Sequence, residues 1–248
     1  MNVTFAGLEL RRVLRDYVSM FFIAVLPAFF FVLFGAAQDF SDENAGNGNV
    51  AMYIMVSMAA YGAVTATTGI GGMAAVERMQ GWGRQLGLTP LADSSYVAMK
   101  AGVALVIATV PVALIYLLGA LTSAEGSATA WALSVALVLL GAGVFAIYGL
   151  AVGLAFRSEA AVGAASGLLV IMAFLGNIFI PLSGTLLTIA KFTPLYGYVA
   201  LARYPLTEGH QVDGSHEPLW IAVTNVTIWA AIFGLVATAL VRRGRERQ

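Results

Sequence analysis

Of 248 residues, 60% are hydrophobic and only 10% are charged, against roughly 25% charged residues in an ordinary soluble domain. A soluble fold is excluded, because its interior has no room for so much apolar surface, and the absence of cysteine excludes a disulfide framework, a thiol nucleophile and a thiolate metal site. Acidic and basic side chains cancel to a formal net charge of zero, so only their distribution along the chain is informative.

The chain opens on an amphipathic stretch. Val3, Ala6, Leu10, Val13, Leu14 and Tyr17 share one helical face, and Glu9, Arg11, Arg12, Arg15 and Asp16 share the other. The pattern predicts an interfacial helix over residues 1–16, with Leu10, Arg11, Arg12, Val13, Leu14 and Arg15 at its centre. A plain basic flank that fixes topology explains the arginines equally well, and the two readings are compatible.

Apolar runs of about twenty residues then follow one another, each long enough to cross a hydrocarbon core as a helix. They cover 17–37, 50–75, 96–120, 129–156, 161–180 and 219–241. Backbone amides in hydrocarbon must pair within their own segment, and the runs are too long and too uniformly apolar for barrel strands. The first run is not read as a cleaved secretory signal despite Arg11 and Arg12 before it. It is long, rich in Phe and followed by five more.

The segment after the second run reads Glu77-Arg78-Met79-Gln80-Gly81-Trp82-Gly83-Arg84-Gln85-Leu86-Gly87-Leu88-Thr89-Pro90-Leu91. It predicts a short polar helix at the membrane surface that Gly87 ends and Pro90 prevents from continuing, with Asp93 or Ser94 capping the third span. Between the fifth and sixth runs, residues 182–202 remain largely apolar but are broken by Pro194 and Gly197. They are expected to form short re-entrant helices.

Lys and Arg are retained on the cytoplasmic side during insertion. Eleven of the thirteen, Arg11, Arg12, Arg15, Arg78, Arg84, Lys100, Arg157, Arg242, Arg243, Arg245 and Arg247, fall on one set of loops, leaving Lys191 and Arg203 opposite. Both termini are therefore expected in the cytoplasm of a bacterial cell, with the chain a multi-pass protein of its inner membrane.

The segment from Glu77 to Leu91 closely resembles the loop after the second span of bacterial ABC-2 type permeases, the membrane subunits of ATP-binding-cassette drug and antibiotic exporters. The likeness extends to the basic N-terminus, the run of spans, the Phe174-Leu175-Gly176-Asn177-Ile178-Phe179-Ile180-Pro181-Leu182-Ser183 ending of the fifth and the basic tail. The resemblance implies a single all-α membrane domain over 1–248, with six transmembrane helices, an N-terminal interfacial helix, a cytoplasmic coupling helix and extracellular re-entrant helices. It implies that Glu77, Arg78, Gln80, Gly81, Trp82, Arg84, Leu86, Leu88 and Pro90 dock on a separate ATPase subunit, with ATP and Mg bound there and no cofactor on this chain. The expected partners are that ATPase, a second permease chain, identical or paralogous, and membrane lipid, with no nucleic acid. Gly83 and Gly87 stand where many relatives carry better helix formers.

The residues agree with such a role. The sequence contains no G-x-x-x-x-G-K-[ST] phosphate loop, so ATP hydrolysis by that mechanism must come from elsewhere and the chain is not expected to be an enzyme. No ionisable residue lies deep in a predicted span, which weighs against ion coupling and intramembrane hydrolysis. Thr65, Thr68, Ser166 and Asn177 are candidates for lining a path for an amphipathic or lipid-like substrate, with spans one, two and five as walls by resemblance. They suit ordinary helix packing as well. Little interior room is expected in the bundle. His210, Asp213, His216 and Glu217 form a weak metal pattern in a polar loop, and no metal is expected. Gly149-x-x-x-Gly153 and Gly163-x-x-x-Gly167 are expected to let helices approach closely. The rival readings are a permease for polysaccharide or lipid-linked glycan and a membrane sensor or assembly protein without transport activity.

Overall fold

Long apolar runs that must satisfy their own amides become helices, and the computed structural model, which describes residues 3–77, 93–156, 158–212 and 214–245, is helical in every such run. In chain order the helices are α1 (Val3–Leu14), α2 (Tyr17–Ala36), α3 (Val50–Glu77), α4 (Asp93–Leu121), α5 (Ala128–Phe156), α6 (Glu159–Leu175), α7 (Gly184–Ala190), α8 (Pro194–Thr207) and α9 (Leu219–Arg245). Five of them, α2, α3, α4, α5 and α9, are long and apolar enough to cross a membrane. The fifth run differs from expectation at its end. Helix α6 has 17 residues and, at about 1.5 Å per residue, spans roughly 25 Å. It stops at Leu175 and not near residue 180, because Gly176 turns the chain and Asn177 follows at a left-handed φ of 61°.

Helix α3 occupies the centre. Its sequence is apolar around its whole circumference, as suits a helix enclosed on all sides, and it touches α2, α4, α5, α6 and α8. Asn49 starts it as an N-cap: its side-chain oxygen accepts from the Met52 amide at 3.0 Å. The same oxygen accepts from the Glu125 amide at 3.0 Å, and the side-chain nitrogen donates to the Ser123 carbonyl at 2.5 Å. One residue thus starts α3 and ties it to the α4–α5 turn.

Against α5, glycine replaces side chain with backbone. A Cβ at Gly149 would land on the Thr68 carbonyl, one at Gly153 on the Gly72 carbonyl and one at Gly71 on the Ala146 carbonyl. The Gly149/Gly153 pair therefore does what its spacing suggests. The Gly163/Gly167 pair does not, for nothing lies within 4 Å of a Cβ at either position.

Helix α2 carries two wide π-turns, Phe21–Val25 and Val32–Ala36. Proline explains the first: Pro27 has no amide to offer the Ile23 carbonyl and its ring crowds that oxygen. The Leu26 amide accordingly donates to the Phe21 carbonyl, five residues back. Gly62 of α3 accommodates the displaced Ile23 carbonyl, which would be 3.0 Å from a Cβ there.

The amphipathic start forms α1, which packs against α4. Leu10 and Val13 lean on the core, but Leu14 is exposed and Tyr17, 81% exposed, belongs to α2. The expected single apolar face is therefore split, because Arg15 and Asp16 interrupt the helix before Tyr17. Ser19 donates to Asp16 through its hydroxyl at 2.5 Å and its amide at 3.1 Å, holding that carboxyl below its ordinary value.

Helices α7 and α8 fill the broken stretch between the fifth and sixth runs. Pro194 begins α8, but Gly197 does not break it. A Cβ there would collide with the Asn225 side chain, so this glycine makes room for α9. Asn225 donates to the Lys191 carbonyl at 2.8 Å and the Thr193 carbonyl at 3.2 Å, and Trp229 donates to the Phe192 carbonyl at 3.0 Å.

Candidate functional site

The central helix places side chains four apart on one slowly turning stripe. Along α3 that stripe runs Glu77, Met73, Gly69, Thr65, Tyr61, Ser57 and Tyr53. Its first five members line a groove of about 650 Å³, walled on one side by Ile23 and Leu26 of α2 and on the other by Val162, Gly163, Ser166, Gly167 and Val170 of α6. The bundle has more room than its composition suggests, and that room lies on its flank. Bare glycines leave it open: nothing lies within 4 Å of a Cβ at Gly69, Gly163 or Gly167.

The groove joins two of the four polar residues singled out from sequence. Thr65 and Ser166 line it. Thr68 is fully buried on the opposite side, where its hydroxyl donates to the Phe145 carbonyl at 3.3 Å. Asn177 is buried in the turn after α6, where its side-chain oxygen accepts from the Leu182 amide at 2.8 Å.

A three-residue ion cluster closes one end of the groove. Glu77, the last residue of α3, accepts from Arg12 of α1 at 2.8 Å and from Lys100 of α4 at 2.7 Å. The Lys100 side chain is 5% exposed, that of Glu77 15% and that of Arg12 65%. The buried half of the cluster therefore matters most for stability, and the Arg12 bond is nearer a surface pair. Glu77 ties together α1, α3 and α4 at the start of the expected docking segment. Arg78, Gln80, Gly81, Trp82, Arg84, Leu86, Leu88 and Pro90 lie outside the described residues, as does Arg157.

At the other end the groove's last lining residue on α3, Tyr61, belongs to an aromatic cluster. The Tyr61 ring meets that of Phe179 at 5.2 Å, and Phe179 in turn meets Phe30 of α2 at 5.7 Å and Phe174 of α6 at 5.0 Å. Just beyond Tyr61 on the stripe, Arg203 of α8 reaches in. Its Nε donates to the Ser57 hydroxyl at 2.9 Å, its Nη1 to the Tyr53 hydroxyl at 2.8 Å and its Nη2 to the Asn177 carbonyl at 2.8 Å. The sequence assigns Arg203 to the loops opposite the main basic set, but the residue lies within α8 and is 4% exposed. Position within a Pro- and Gly-rich segment concealed its burial; its isolation in an otherwise apolar helical stretch, Tyr198 to Tyr204, was the available signal.

Glu217 also differs from the expected solvated loop, being 5% exposed. It accepts a short hydrogen bond from the Tyr196 hydroxyl and has Lys191 at 3.8 Å. His210 and His216 come together with ring centroids 5.0 Å apart, each directing one ring nitrogen to a backbone carbonyl. Asp213 lies outside the described residues, and among those described no group of three or more metal-ligating side chains assembles.

Five long apolar helices, one of them enclosed by its neighbours, with charge at one end of a flank groove, give the chain the build of a multi-pass helical membrane protein. No family model matches the chain. It is 27% identical over 244 residues to the Bacillus subtilis (strain 168) protein named "Putative transport permease YvfS", a likeness that covers 96% of this chain and 95% of that protein. The similarity to a transport permease therefore runs from end to end and is not confined to one segment.

Proposed function

We propose that the chain is the membrane subunit of an ATP-binding-cassette exporter of the ABC-2 type, and that the groove walled by α2, α3 and α6 is its substrate path. The observation that carries this reading is the groove itself, with ion pairs at one end and apolar walls beyond. Such a surface accepts a molecule with a polar end and a hydrocarbon body, that is, an amphipathic drug, an antibiotic or a lipid-like compound. The groove is open along its flank, so a second permease chain facing it would enclose the path. Helix α6 then serves as a short fifth span, α7 and α8 dip into the outer leaflet, and both termini lie in the cytoplasm.

Energy comes from a separate ATPase subunit, which holds ATP and Mg. It docks on the segment that begins at Glu77, so its movement reaches α1, α3 and α4 through the Arg12–Glu77–Lys100 cluster. Purification from native membrane in mild detergent tests this. A stoichiometric ATP-binding-cassette subunit is expected to accompany the wild-type chain and to be lost when Arg84 and Leu88 are both replaced by Asp, with membrane insertion intact. Retention of the ATPase and of transport in that double variant would overturn the docking assignment. Replacing Asp42 and Glu43 in the opposite loop is expected to leave the association unchanged.

The path itself is tested by Gly167→Leu. Because nothing lies within 4 Å of a Cβ there, the side chain extends into the groove without disturbing helix packing. Unfolding temperature and ATPase association are expected to stay at wild-type values while transport falls at least about tenfold. Full transport in this variant would place the path elsewhere.

A further inference from the structure

We propose that Arg203 is a two-position latch that holds the aromatic end of the groove shut, with Glu217 as its acceptor in the released position. This rests on the groove being the substrate path.

Arg203 is nearly inaccessible, yet no carboxylate pairs with it among the described residues. Its charge is met by neutral oxygens and a ring. Besides the three bonds described above, Nη2 donates to the Ser57 hydroxyl at 2.5 Å, and Cζ lies 3.9 Å above the Tyr53 ring centre. Ser57 is free to accept because its own proton goes to the Tyr53 carbonyl. A buried guanidinium is costly to desolvate, and an apolar side chain often holds two helices together at least as well. What the guanidinium adds is a fork of directional bonds to several elements at once. Here they join α8, α3 and the turn after α6.

The turn is the moving part of the proposal. Arg203 holds the carbonyl of Asn177, and two residues further on Phe179 packs against Tyr61, Phe30 and Phe174 at the end of the groove. Fixing Asn177 therefore fixes the ring that packs on Tyr61, the groove's last lining residue on α3. The backbone of this turn is already strained, for Asn177 holds a φ of 61°.

The released position lies toward Glu217. A cavity of about 20 Å³ is lined by both Arg203 and Glu217, a space of roughly one water molecule. Glu217 Oε1 is buried there with the Lys191 ammonium at 3.8 Å and no hydrogen bond. Moving the guanidinium across this cavity exchanges neutral acceptors for a carboxylate and frees the Asn177 turn. Two discrete arrangements with similar bonding are what a switch requires.

The cysteine-free sequence makes a direct test possible in the full-length chain. Thr65→Cys places a single thiol in the groove, and a membrane-impermeant maleimide is applied from the face that carries α8. With Arg203 present, labelling is expected to be slow. Adding Arg203→Met is expected to raise the rate roughly tenfold, as a two-state gate shifts toward open, and Phe179→Ala is expected to do the same. Glu217→Gln, which weakens the released position, is expected to lower the rate below wild type.

Unchanged labelling with Arg203→Met, while Phe179→Ala raises it, would overturn the latch. An equal rise with Tyr116→Phe, which removes a distant buried bond to Ser134, would overturn it too by showing general loosening. Should Arg203→Met fail to accumulate, Ser57→Ala, which removes one shared acceptor, must raise the rate in the same direction. Labelling needs neither ATP nor cargo. The expected changes without any co-purifying ATPase would leave the latch standing and the exporter reading refuted.

Discussion

Glu77→Ala is expected to destabilise the chain by roughly 3 kcal/mol, the low end for removing one partner from a buried ion pair. The substitution takes from Lys100, 5% exposed, the carboxylate that stands 2.7 Å from it. Arg12→Ala removes a bond of similar length, but from a side chain that is 65% exposed, and is expected to cost less than about 1 kcal/mol. Thermal unfolding in detergent separates the two. Equal losses would mean that the cluster derives its strength from α1 and not from the buried contact between α3 and α4. Glu77→Ala, Lys100→Met together should recover part of the loss, because the buried ammonium that faced the carboxylate is then gone.

The second large effect is expected at the α3–α5 contact. Gly149→Ala adds a methyl group where the Thr68 carbonyl already lies. Backbone cannot rotate aside as a side chain does, so the helices must separate, at about 2 kcal/mol or more. Gly143→Ala on the same helix meets nothing within 4 Å and is expected to leave stability unchanged or to raise it by up to about 1 kcal/mol. A parallel measurement of both variants is decisive. Comparable destabilisation would show that glycine is needed along α5 for some reason other than close approach.

The helices were legible because hydrocarbon leaves the backbone no other choice, and the expected limits of the second, third, fourth and sixth runs lie within a few residues of α3, α4, α5 and α9. The fifth was misjudged at its end. Ile178, Phe179 and Ile180 look like continuing helix by hydropathy, and only the left-handed Asn177 shows that they form a turn. Hydropathy likewise does not tell a glycine that meets a carbonyl from one that faces open space, so Gly149 and Gly163 read alike while doing opposite things.

The groove was half legible. Thr65 and Ser166 were selected as polar residues in apolar helices, a property they share with Thr68, whose neighbour is α5. What distinguishes Thr65 is its place on the four-residue stripe from Glu77 to Tyr53, a pattern interrupted in chemical type by Gly69 and Met73 and therefore invisible to a search for similar side chains. The burial of Arg203 was hidden for a different reason. Its partners, Ser57 and Asn177, are 146 and 26 residues away in the chain, and long-range contacts of this kind leave no local pattern.

Helix α9 bears on the order in which the molecule is made. Synthesis delivers it after α7 and α8, yet Asn225 and Trp229 supply side-chain donors to the carbonyls of Lys191, Phe192 and Thr193 in the link between α7 and α8. Until the ribosome has released residues 219–245, that link lacks these donors and α8 lacks the neighbour for which Gly197 leaves space. The nascent chain thus completes the α7–α8 corner only after α9 has emerged. A chain truncated before α9 would present the quality-control machinery of the membrane with an inserted bundle whose α7–α8 corner is unfinished.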